Sequence, residues 1–231
     1  MALILNLETA TTACSVSLAR DGKMLALKEL NADYTHAENL TIFIEDVLKE
    51  AGCELHALDA IAVSKGPGSY TGLRIGVSTA KGLCYSLDKP LIALNTLRSM
   101  THGILASRKD MITPTSLLCP MIDARRMEVY CAVYNAAGKE IKETAAEIID
   151  EKSFAELLKN HRLIFFGDGA AKCKSTFEGN VNAVFIDNIY PSAKDMITVS
   201  EEAFSENIFE DVAYFEPFYL KDFVTGKKKG E

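Results

Sequence analysis

The stretch that most constrains the fold is Asp59 to Leu87, DAIAVSKGPGSYTGLRIGVSTAKGLCYSL. Ile61-Ala62-Val63 is a short apolar run that reads as a buried strand. Three glycines and a proline then fall within the seven residues from Gly66 to Gly72. Neither helix nor strand persists through that density, because glycine loses the most backbone entropy on ordering and proline lacks an amide donor. Beyond the loop, Leu73, Val77, Ala80, Cys84 and Leu87 recur at spacings of four, three, four and three, which is one face of a helix. The unit is strand, tight loop, helix. Its backbone donors could hold a phosphate or carboxylate; alternatively, small residues there let strand and helix pack closely. The spacing matches neither the G-x-x-x-x-G-K-[ST] phosphate loop nor the dinucleotide pattern, since Thr71 stands where the latter needs its last glycine.

With 231 residues, 48% of them hydrophobic and 25% charged, the chain can bury the core of one or two globular domains. A formal charge of -7 gives it no general attraction to nucleic acid, without excluding a complex whose other subunit is basic. The six cysteines are dispersed with no C-x-x-C pair, which fits reduced, buried thiols better than disulfides or a zinc site. The four histidines, at 36, 56, 102 and 161, suggest no metal cluster. Nothing approaches 18 consecutive apolar residues, and the start MALILNLETA lacks a basic leader, so a cytoplasmic protein with no membrane span is expected.

In chain order, Leu3 to Leu7, Cys14 to Leu18 and Met24 to Leu30 read as three strands, the last two joined by an Asp21-Gly22 hairpin turn. A mixed sheet follows from that meander. Thr35 and Glu38 form a capping box for a helix whose apolar face is Leu40, Phe43, Ile44, Val47 and Leu48, with Ile42 off the stripe and Gly52 at its end. Leu91 to Leu94 is a strand, and Asn95-Thr96 caps a helix reaching about Ala106. The polar stretch Arg108 to Ser116 marks a boundary between lobes at 1–107 and 108–231, with the last segment packing back on the first lobe. Leu117 to Ile122, Met127 to Tyr134, Leu163 to Phe166 and Ala183 to Ile186 are strands, Ser153 to Lys159 a short helix, and Ser192 to about Phe209 mostly helical. Gly167-Asp168-Gly169 echoes the first glycine loop, again after an apolar strand, which suggests two related α/β halves. Glu8, Asp123 and Asp168 each follow a strand and could be catalytic acids or simply turn caps; no nucleophile is paired with a base.

SKGPGSYTGLRIGVSTAKGL resembles the signature of the TsaB (YeaZ) family. Leu5-Asn6-Leu7-Glu8-Thr9-Ala10 is similar to its "LxIDTS" start and His36-Ala37-Glu38-Asn39-Leu40 to its "HSExL". Asp123-Ala124-Arg125-Arg126-Met127-Glu128-Val129-Tyr130 resembles "DARRxEVY", and Glu216 to Asp222 the terminal "PxYLR", with Lys221 for the arginine. The resemblance implies an actin/Hsp70/sugar-kinase-like (ASKHA, ribonuclease H-like) two-lobed fold. It also implies a non-catalytic partner in forming N6-threonylcarbamoyladenosine (t6A) at adenosine 37 of tRNAs reading ANN codons.

The catalytic relative, TsaD, carries two metal-binding histidines in "VNHLEGH"; Thr96 and Met100 stand in their places here, and a hydroxyl and a thioether do not replace two imidazoles. No metal and no tightly bound cofactor are therefore expected in this chain, with room for ATP or ADP in the complex. The implied partners are a TsaD-like transferase, a TsaE-like ATPase, a second copy of the chain when alone, and tRNA through the complex. The implied interface is the first helix, at His36, Glu38, Asn39, Leu40, Ile42 and Phe43. The signature loop is Lys65, Gly66, Pro67, Gly68, Ser69, Tyr70, Thr71, Gly72 and Arg74, the last expected to hold a carboxylate or carbonyl. Asp123, Arg125, Arg126 and Glu128 form the second motif, and a vestigial nucleotide cleft would involve Glu8, Thr9, Gly167, Asp168 and Gly169. An active kinase or carbamoyltransferase of the same fold, and a peptidase, are the competing readings.

Overall fold

The structure, a computed structural model, describes residues 2–31 and 36–221, excepting the side chains of residues 36 and 37. Thr35, the His36 side chain, Asp222 and the three consecutive lysines Lys227, Lys228 and Lys229, which read as a solubilising tail, thus lie outside the described residues. Strands β1 (Leu3–Glu8), β2 (Ala13–Arg20) and β3 (Lys23–Asn31) form the antiparallel meander. Its hairpin turns at Asp21 and Gly22, both with positive φ, as an Asp-Gly turn requires. After helix α1 (His36–Ala51), β4 (Ala60–Gly66) lies parallel to β1, and β5 (Leu91–Asn95) follows helix α2 (Tyr70–Leu87) to lie parallel to β4. The sheet order is β3-β2-β1-β4-β5.

The chain then repeats itself. After helix α3 (Thr96–Ser107), β6 (Leu117–Asp123), β7 (Glu128–Asn135) and β8 (Glu140–Ile148) make a second meander. Helix α4 (Ala155–Asn160) precedes β9 (Leu163–Phe166), and β10 (Ala183–Ile186) completes a sheet ordered β8-β7-β6-β9-β10. Counted within each half, the order is the same. This duplicated topology agrees with the two-lobed ASKHA-like fold that the resemblance implies.

Alternation along β1 explains the layers. Leu3, Leu5 and Leu7 face α1 and α2 with Val47, Val63 and Val77, while Ile4 faces Ile92, Met196 and Val199. Those last two come from a 3-10 turn at Ala193–Met196 and from helix α5 (Ile197–Ser205), far along the chain. Conversely α3, which follows the first sheet, buries Leu97, Met100 and Ile104 against Leu118, Ile122 and Ile164 of the second. Each half thus supplies one layer of the other half's core. The 208–221 segment also returns to the first lobe: Glu210 bridges to Leu91, and Val212 and Phe215 pack on its core.

Three expectations need correction. β8 is a strand the sequence did not announce, because EIKETAAEI is mostly exposed and carries little apolar alternation. The helical segment expected from Ser192 to Phe209 is split into the 3-10 turn and the shorter α5, with left-handed Asn207 just beyond its end. Leu40, expected at the interface, is 1% exposed and belongs to the core. Cores of this kind resist truncation. Phe165 sits among Phe154, Phe177 and Phe185, stacked 5.1 Å from Phe177 and 5.0 Å from Phe185. Phe165→Ala should cost about 3 to 5 kcal/mol in denaturant unfolding, against less than about 0.5 for a change at exposed Val181.

Candidate functional site

The glycine loop is shaped by what lies against it. From the end of β4 the chain passes through a cis Gly66–Pro67 peptide, with Gly66 at φ 111°. A Cβ on Gly68 would land on the Ala10 carbonyl, and one on Gly76 would strike the Thr9 hydroxyl. The loop is bonded to the same turn: Ser69 N donates to Ala10 O at 2.6 Å, and Thr9 Oγ1 donates to Gly72 O at 2.8 Å. Ser69 caps α2 by accepting from Gly72 N at 3.3 Å. The glycines therefore serve close packing of the loop on the β1–β2 turn.

Glu8, at the end of β1, is fully buried. One carboxylate oxygen accepts from Ala10 N at 2.7 Å; the other has no partner among the described residues. Asn6 and Ser99 also hold an unpartnered buried oxygen each. Burial lifts the Glu8 carboxyl to about 7, against hydrogen bonds from Ala10 and Ser64 that favour its charged form. Asp195 is likewise lifted to about 7 by burial. Thr96 and Met100 are both buried, the Thr96 hydroxyl 2.6 Å from Ser64 Oγ and Met100 within the hydrocarbon of α3. Among the described residues no three His, Cys, Asp or Glu side chains gather as a metal site.

In the second lobe a Cβ on Gly167 would meet the Met121 carbonyl, and one on Gly169 the backbone of Ile122, so this loop too is pressed onto its neighbour. Asp168 accepts from Asp123 N at 3.1 Å, and burial raises its carboxyl above the usual range. Asp123 accepts from Arg125 N and pairs with Lys172, whose ammonium also reaches Glu128 O at 2.8 Å. Glu128 is paired with Lys221. None of the expected cleft residues (Glu8, Thr9, Gly167, Asp168, Gly169) lines the cavity of about 730 Å³ that opens between β2, α3 and the 188–195 segment, where Ser15, Glu29, Ser192 and Asp195 are found. Lys172 and Asp195 gave no signal in the sequence, since neither falls in a recognisable motif.

Arg74 departs from expectation. Among the described residues it meets no carboxylate; it lies over the Tyr70 ring at 5.4 Å and donates to the Tyr70 hydroxyl at 3.2 Å. Helical i,i+4 spacing makes that contact local, so no distant anion is needed. On α1, Ile42 is 52% exposed, Glu38 is exposed, Asn39 is half-buried, and Phe43 is partly buried against the core.

Over residues 30–228 the sequence matches the family described as "TsaD: tRNA N6-adenosine threonylcarbamoyltransferase". At full length it is 33% identical over 235 residues, 97% of each chain, to the tRNA threonylcarbamoyladenosine biosynthesis protein TsaB of Escherichia coli (strain K12). The TsaB protein of Haemophilus influenzae is 30% identical, covering 97% of this chain and 96% of its own. The chain belongs to the TsaB/YeaZ family. A solved Pseudomonas aeruginosa structure, described as similar to peptidase YEAZ, superimposes with a TM-score of 0.83 at 26% identity, covering 96% of this chain and all of that one. As a TsaB-type chain it has a buried Glu8 where the family start "LxIDTS" places its aspartate.

The burial of Glu8 has a pH signature. Between its unfolded value near 4.5 and its folded value of about 7, the unfolded chain releases a proton that the folded chain keeps. Stability therefore falls as pH rises through that window. Glu8→Gln should flatten the fall and add on the order of 2 to 3 kcal/mol at pH 8, with little change at pH 4. Chemical unfolding of both proteins across pH 4 to 8 checks this; parallel curves would show that Glu8 does not titrate so.

Proposed function

We propose that this chain is the non-catalytic subunit required for t6A formation at adenosine 37 of tRNAs reading ANN codons, working in the cytoplasm by binding and supporting a TsaD-like transferase. A TsaE-like ATPase joins the assembled complex, any ATP or ADP belongs to that assembly, and tRNA meets the chain through it. The full-length match to TsaB proteins carries this reading. The site supports it: Glu8 is sealed in the core, and Asp123 and Glu128 are each paired with a lysine. A kinase or carbamoyltransferase needs a carboxylate aimed at substrate, and a peptidase needs a nucleophile with its base or a metal; this geometry favours neither. The test is reconstitution with the transferase of the same genome, a threonylcarbamoyl-adenylate supply and unmodified tRNA, read by mass spectrometry of the nucleosides. t6A should form only when both proteins are present. Formation by this chain alone, or at full rate by the transferase alone, would overturn the reading.

The contact surface is the outward side of α1, used either by a second copy of the chain or by the transferase. Ile42 supports this, because its side chain is half in water while Leu40, Ile44, Val47 and Leu48 fill the core. Burying an isoleucine is worth about 1.5 to 3 kcal/mol, whereas an exposed ion pair contributes roughly 0 to 1. Ile42→Glu should weaken pairing by about tenfold to a hundredfold in sedimentation while leaving the melting temperature unchanged. Pairing as tight as wild type, with both partners, would remove α1 from this role.

A further inference from the structure

Three exposed arginines, Arg74, Arg125 and Arg126, have no carboxylate partner among the described residues, although the chain as a whole is acidic. They belong to different lobes, and the C-terminal segment joins them. Arg74 covers Tyr70, whose ring lies 4.9 Å from that of Tyr219. Next to Tyr219, Phe218 N donates to Lys65 O at 2.7 Å, fixing this segment on the first glycine loop. Two residues on, Lys221 reaches Ala124 O at 3.5 Å, pairs with Glu128 and lies over the Tyr130 ring at 5.7 Å. Ala124 is the residue before Arg125, so guanidinium, tyrosine rings, ammonium and two further guanidiniums follow one another across both lobes.

The far end of this ridge is held in costly backbone. Arg125 and Arg126 have φ of 71° and 47°, left-handed conformations that glycine or asparagine adopts with less strain. The turn is closed by Ala124 N to Glu128 O and Glu128 N to Arg125 O, both 3.1 Å, and by Asp123 accepting from Arg125 N at 2.8 Å. Strain retained at a fixed, exposed turn marks a position selected for its side chains. The neighbouring acids do not cancel the arginines, since Asp123 is taken by Lys172 and Glu128 by Lys221.

A guanidinium with unused donors matches a phosphate in charge and geometry. A partly exposed tyrosine beside it offers a ring face to an unstacked base. Resting on the reading above, in which the complex acts on tRNA, we infer that this ridge holds a strand of that RNA directly, Arg74, Arg125 and Arg126 on its phosphates and Tyr219 against a base. The test uses the chain assembled with its transferase and an unmodified tRNA transcript, with affinity measured from 50 to 200 mM salt. The triple variant Arg74→Gln, Arg125→Asn, Arg126→Asn is chosen because asparagine tolerates the left-handed turn. It should bind RNA about tenfold or more weakly, with a slope of log affinity on log salt smaller by about 2. The corresponding triple lysine variant should keep most of the slope. Unchanged affinity and slope in an intact assembly would overturn the proposal, and so would loss of pairing with the transferase as the primary defect, which would make the ridge a protein contact. If the wild-type assembly makes no t6A, the functional reading fails, and the RNA titration still decides the ridge separately.

Discussion

The contact on which the first lobe depends is the clamp between the glycine loop and the turn after β1. Ser69 N on Ala10 O and Thr9 Oγ1 on Gly72 O tie two segments some sixty residues apart, at 2.6 and 2.8 Å. Glycine is required where the backbones come closest, because a Cβ at Gly68 would occupy the Ala10 carbonyl. Closing this clamp brings the ends of β1 and β4 together, sets the start of α2 and seals Glu8 beneath it. One constraint thus fixes both the local fold and the chemistry left available.

The second lobe meets the same problem with the same solution. Gly167 and Gly169 press onto the backbone of Met121 and Ile122, and Asp168 is bonded to the amide of Asp123. What differs is the charge. Asp123 stays nearer the surface, where Lys172 neutralises it, while Glu8 has only neutral hydrogen bonds and a carboxyl lifted to about 7. In both lobes the strand-end carboxylate is committed to its own structure. A protein of this build acts through its surfaces, which agrees with its place in the TsaB/YeaZ family.

What the sequence revealed was local. The Asp21-Gly22 hairpin, the Asn95 cap that accepts from Leu97 N and Arg98 N, and the β4–loop–α2 unit each rest on residues within a few positions of one another. The echo of one glycine loop in the other pointed to two related halves, and the identical strand orders agree. What stayed hidden was non-local. Nothing in a linear reading puts Lys221 on Glu128, 93 positions away, or sends α3 and α5 to cover each other's sheets. Arg74 differs from expectation because the Tyr70 ring, four residues earlier on the helix, takes the guanidinium in place of a carboxylate or carbonyl.

The claim that neither strand-end carboxylate takes part in chemistry is tested most directly by removing their charges in the reconstituted t6A reaction. The measurement is the initial rate with Glu8→Gln or Asp123→Asn in place of the wild-type chain, at concentrations where sedimentation shows complete assembly with the transferase. A structural carboxyl predicts rates within about twofold of wild type. A general acid or base typically contributes about 10²- to 10⁴-fold, so a fall of about a hundredfold or more in a fully assembled complex would contradict the account and place a catalytic group in this chain.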